Sequence, residues 1–142
     1  MKISKIMGLD LGSVTCGVSL SDGLKMFAHP YETLRFEDEA HDTLKAPLEA
    51  IINKENVEKI ILGYPKMMNN DVGPRAQISE AFKEKLESWF EVDVVLMDER
   101  LTSKQATRQL IHMDVSRKKR KKVIDQMAAV QILQSYLDQN KF

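Results

Sequence analysis

Three acidic residues stand where a lone charge is costly. Asp10 sits in MGLDLGSVTCGVSLSD, among Ile6, Met7, Leu9 and Leu11. Glu99 follows directly on VDVVLM, in MDERLTS. Asp125 lies in VIDQMAAVQILQSYLD and heads a stripe of Ala129, Ile132 and Tyr136 at helical spacing. A carboxylate buried among apolar groups is destabilising unless something satisfies it. Three brought together repel and raise one another's pKa. A hard divalent cation removes the conflict, and Mg²⁺ typically takes a few carboxylates plus water and phosphate oxygens. Two Mg²⁺ or Mn²⁺ ions about 4 Å apart activate water and stabilise the leaving oxygen in phosphodiester hydrolysis. Each acid also has a structural alternative. Asp125 could cap a helix, although Ala128 stands where a capping box needs Glu or Gln. Glu99 could pair with Arg100, and Asp98 competes with it for the inward position.

The elements that must position these acids follow from periodicity. Residues 2–11 read as a first strand, with Gly12 to Gly17 enclosing a short connection. GVSLSD alternates as a half-buried second strand, and Asp22-Gly23 marks a turn. Residues 26–36 suggest a third strand, with Pro30 pointing to an edge. Helical spacing then appears over 39–55, 74–90, 102–113 and 123–137, alternating with apolar strands at 59–64 and 92–97. Strands separated by helices favour parallel pairing with right-handed crossovers. The expected fold is α/β: a mixed five-stranded sheet with an antiparallel hairpin edge, a parallel half and helices on both faces. Strand one is expected to be central, with its carboxyl end beside that of VDVVLM, at the edge where such sheets place their sites.

At 142 residues the chain fits one domain, 1–142, with a single core. No apolar run approaches the roughly 20 residues of a membrane span. MKISKIMGLDLG shows no small-residue cleavage site, and Cys16 is the lone cysteine, so a cytoplasmic protein is expected. Net charge is zero but unevenly spread. From Arg100 to Lys122 nine Lys/Arg stand against Asp114 alone, a net +8 that leaves −8 elsewhere. RKKRKK, at 117–122, ends three residues before Asp125 and suits phosphate contact through Lys118, Lys119, Arg120 and Lys121, or a solvated charged face. Arg100 could contact a phosphate through its fork of donors. Thr102 and Ser103 suit a helix cap. His29, His41 and His112 show no ligand spacing.

MGLDLGSVTCGVSLSD, ILGYP, MDERLTSKQA and VIDQMAAVQILQSYLD, in this order and over essentially the whole chain, resemble the YqgF family. That family is described as Holliday-junction resolvases or as nucleases maturing the 5′ end of pre-16S rRNA. The resemblance implies a ribonuclease-H-like fold and a divalent-metal nuclease site. It matches Asp10, Glu99 and Asp125 to the family's acids, and Arg100 and Thr102 to the Asp-Glu-Arg segment. Ser103 replaces a frequent second Thr and keeps a hydroxyl. Gly73 and Arg75 match a Gly and an Arg that follow the Asn-rich turn.

The leading expectation is a Mg²⁺- or Mn²⁺-dependent nuclease of pre-rRNA or branched DNA, monomeric or homodimeric. An actin-like ATPase would use Asp10 and its glycines as a phosphate cradle, but such proteins generally close two domains on the nucleotide. A non-catalytic nucleic-acid binder would need only the basic tract.

Overall fold

The computed structural model describes residues 3–37, 40–65, 73–98 and 117–139, with 117–126 described as backbone. Five strands form one sheet: β1 (Lys5–Leu11), β2 (Thr15–Ser21), β3 (Ala28–Arg35), β4 (Val57–Tyr64) and β5 (Asp93–Asp98). Their order is β3-β2-β1-β4-β5. β1, β2 and β3 pair antiparallel, whereas β1, β4 and β5 run parallel. This is the expected mixed sheet, with β1 central.

The apolar residues of β1 divide by parity, as a pleated strand requires. Met7, Leu9 and Leu11 join Leu62, Leu48, Phe82 and Leu86 in the larger core, beneath α1 (Lys45–Glu55) and α2 (Pro74–Trp89). Ile6 faces the other way and packs with Ile61, Ile132 and Leu133 under α3 (Arg117–Gln139). Helices therefore cover both faces. Residues 6, 8 and 10 share the α3 side, so Asp10 belongs to the thinner of the two layers.

Local sequence explains the main boundaries. Asp22 Oδ1 accepts hydrogen bonds from the Met26 N–H at 2.8 Å and the Phe27 N–H at 3.3 Å, closing the turn into β3. β3 is an edge strand with Pro30 exposed at a bulge, as the proline suggested. The helix expected over 39–55 is α-helical only from Lys45, preceded by a 3₁₀ turn at His41–Leu44. Pro47 accounts for this, because its ring would clash with the Thr43 carbonyl if the α-helix ran back through it. Pro74 opens α2 at a position where its missing N–H costs nothing. The final helix begins at Arg117 rather than 123, so RKKRKK forms its first turns. The helix expected over 102–113 lies outside the described residues. Among the described residues no helix is long and apolar enough to cross a membrane.

Candidate active site

Of Asp10, Glu99 and Asp125, Asp10 is the one whose side chain lies among the described residues. It is half-buried, near the carboxyl end of the central strand. Its cross-strand partner on β2 is Gly17. On β4, continuing the register beyond Leu9↔Leu62 sets Gly63 beside it. Both immediate neighbours on the α3 face thus lack a side chain. Asp10 also acts through the sheet on Cys16: burial, and secondarily the Asp10 charge, push that thiol far up. Cys16 is held neutral in the larger core and has no nucleophilic role.

The helix carrying Asp125 presses closely onto this face. Ala128 and Ala129 are buried, and the Ser19 hydroxyl donates to the Ala129 carbonyl at 2.8 Å. A Cβ on Gly8 would lie 2.8 Å from the Ala129 carbonyl oxygen and 2.8 Å from Leu133 Cβ, so only glycine permits the contact. α3 runs antiparallel to β1: Ile6 packs near Leu133, Tyr136 and Leu137, whereas Gly8 lies beside Ala129. From Gly8 to Asp10 the strand advances about 7 Å. From Ala129 back to position 125 the helix retreats about 6 Å. The backbone at 125 therefore stands near the level of Asp10.

The third position follows β5. The expectation that β1 and β5 end side by side is corrected: β4 lies between them, because it pairs with both. The two carboxyl ends share one edge but stand two strand spacings apart, roughly 10 Å. Asp98 closes β5 opposite Tyr64. Val95 and Met97 pack on the α3 side, and Val94 and Leu96 on the other. Asp98 has the parity of Val94 and Leu96, away from the face that carries Asp10. Glu99, Arg100, Thr102 and Ser103 lie outside the described residues, as do the side chains of Lys118, Lys119, Arg120, Lys121 and Asp125. Among the described residues no group of three His, Cys, Asp or Glu could hold a metal.

One residue at this edge was given no role by sequence reasoning. Arg75, in the first turn of α2, donates from Nη2 to the Leu11 carbonyl at 3.1 Å. Leu11 is the residue after Asp10. The sequence offered only Arg75's match to a family arginine, with nothing to tie it to β1. Of the histidines, His41 packs its ring against Phe36 and Phe82, a structural role.

A family of proteins described as "RuvX: Holliday junction resolvase" matches residues 4–139. The chain belongs to the RuvX family. A RuvX relative from Bacillus licheniformis, named "Putative pre-16S rRNA nuclease", is 52% identical over 134 residues, covering 94% of this chain and 96% of that protein. Among solved structures the fold resembles "T. thermophilus RuvC in complex with Holliday junction substrate", with TM-score 0.55, 13% identity and coverage of 96% and 95% of the two chains. It also resembles the Fowlpox virus resolvase in a Holliday junction DNA complex, with TM-score 0.59, 12% identity and coverage of 95% and 97%. At such identities these structures establish a shared fold, the ribonuclease-H-like one.

Proposed function

We propose that this RuvX protein is a divalent-metal-dependent endonuclease that hydrolyses phosphodiester bonds in the 5′-end maturation of pre-16S rRNA. The observation that supports it most is the seating of α3 on β1 through Gly8, Ser19 and Ala129. That contact brings the helix of Asp125 to the level of Asp10, at the sheet edge where β5 also ends. The name carried by relatives at about half identity supplies the substrate.

Asp10, Glu99 and Asp125 are the residues that would hold Mg²⁺ or Mn²⁺, in one or two ions. Their oxygen donors suit a hard cation. Gly17 and Gly63 place no Cβ beside Asp10 on the face that must admit ion and phosphate. Glu99 is preferred to Asp98 because Asp98 has the wrong parity. A cation bound there lowers the pKa of water and offsets charge on the leaving oxygen. The chain's own part is to orient: β1 fixes Asp10, and the small-residue seam fixes the approach of α3. The basic first turns of α3 supply sequence-independent attraction for the phosphate backbone. Six cations at a helix N-terminus oppose the helix dipole, so an anionic partner relieves the arrangement.

The family's description favours a second reading, cleavage of four-way DNA junctions. Purified protein should be incubated with RNA bearing the pre-16S 5′ leader and with a four-way DNA junction, each with Mg²⁺, Mn²⁺ or EDTA. Metal-dependent cutting of the leader, lost in Asp10→Asn with binding retained, is expected. Cutting of the junction alone selects the second reading. Binding to either without cutting by wild type leaves a non-catalytic binder.

A further inference from the structure

Among the described residues, four acidic side chains pair with lysines: Glu55 with Lys5, Glu58 with Lys25, Glu87 with Lys83 and Asp42 with Lys85. Arg75 differs. It is exposed, and its described bond is the one to the Leu11 carbonyl, a neutral acceptor. No carboxylate among the described residues pairs with it. A guanidinium has five donors in a rigid fork, so one bond to a carbonyl leaves donors for a second partner. The anchoring bond also fixes where the cation sits, at the main-chain unit next to Asp10. A neighbouring sheet edge, a spare fork and a cation with no carboxylate pair among the described residues together suit an oxyanion.

We propose that Arg75 contacts a backbone phosphate of the nucleic acid beside the scissile bond, held in place by its bond to Leu11. This rests on the nuclease reading for the scissile bond, whereas the phosphate contact can be read without cleavage. Arg75 lies on the α2 side of the edge and RKKRKK opens α3 on the other face of the sheet. The substrate backbone would then be gripped from both sides of the strand that carries Asp10.

The test uses the full chain with Asp10→Asn, so that cutting does not intervene. Binding to the leader RNA and to the four-way junction is followed by fluorescence anisotropy across a salt series. Arg75→Gln removes the charge but keeps an amide donor for the Leu11 carbonyl. It is expected to lower the slope of log affinity against log salt by about 0.7 on single strands or about 0.9 on duplex, the loss of one phosphate contact. Arg75→Lys should restore the slope. Melting temperature is measured in parallel. An unchanged slope in Arg75→Gln overturns the proposal, and a lower melting temperature with that unchanged slope would make Arg75 a strut for β1. If wild type cuts neither substrate yet Arg75→Gln still loses one contact, the nuclease reading fails and the phosphate contact stands. A response on only one of the two nucleic acids identifies which backbone Arg75 serves.

Discussion

The Ser19 hydroxyl donates a hydrogen bond to the main-chain oxygen of Ala129, 2.8 Å away across 110 positions of sequence. Ser19 is fully buried, and Gly8 lies beside the same contact. The bond joins the second strand to the last helix at the seam where the helix backbone comes closest to the sheet. Its energy is modest, but it lies in the seam that seats the helix bearing Asp125.

Gly8→Ala is expected to destabilise the protein by about 3 kcal/mol, the upper end of the cost of overpacking. The new methyl would meet the Ser19 hydroxyl, the Ala129 carbonyl and Leu133, and two of these are polar groups that cannot give way without losing their bond. Ser19→Ala should cost only about 1 kcal/mol, since the Ala129 carbonyl keeps a helix partner. Urea unfolding checks both. Cleavage should fall further in Gly8→Ala than in Ser19→Ala at a temperature where both are folded.

Asp98→Asn and Glu99→Gln should behave differently. Glu99→Gln is expected to abolish metal-dependent cleavage, by more than about a hundredfold, since changes to partners behind a metal ligand already cost about 10–100-fold. Asp98→Asn should change the rate by less than about threefold, because its parity directs it away from the Asp10 face. Single-turnover rates at saturating Mg²⁺ make the comparison. Equal losses would show that the strand's alternation does not continue to the site.

Neutralising Lys118, Lys119, Arg120 and Lys121 to Gln should weaken binding to the leader RNA and flatten its salt dependence. Each lost contact should reduce the slope by about 0.7 on single-stranded RNA. Helicity should rise or hold, because the substitutions relieve like charges at the start of α3. Anisotropy titrations and far-ultraviolet circular dichroism read the two effects. A slope equal to wild type would assign the tract to solvation.

Glu55 gives a pH-dependent contribution of known sign. The Lys5 ammonium, 2.9 Å away, holds its carboxyl below the ordinary value of 4.5. The folded value lies below the unfolded one, so the stabilisation is present above pH 4.5 and is lost as pH falls through the folded value. The pair is partly exposed and worth under about 1 kcal/mol. Glu55→Gln should melt slightly below wild type at pH 7, and the gap should narrow as pH falls below 4.5. Thermal melts across that range follow it.

The sequence carried the strand that holds Asp10, because a charge among Ile6, Met7, Leu9 and Leu11 is anomalous whatever the fold. It also carried the stripe of Ala129, Ile132 and Tyr136, since helical spacing is local. The order of strands was not local: nothing in KIILGY or VDVVLM says that β4 lies between β1 and β5. The choice between Asp98 and Glu99 depended on strand phase, which Val95 and Met97 reveal only once the helix they touch is known. The start of α3 was hidden because six adjacent cations oppose helix formation in isolation. Arg75 was legible as a family match, but its tie to Leu11 is a tertiary contact that spacing cannot foretell.

Pro30 and the bulge beside it have a consequence for assembly. β3 is one margin of the sheet, and a margin with regular free donors and acceptors invites a second chain to add strands. A proline without a donor, set at a kink, blunts that invitation. Two copies joining through this margin would face a broken ladder. The hairpin margin is therefore a poor template on which a further chain could extend the sheet.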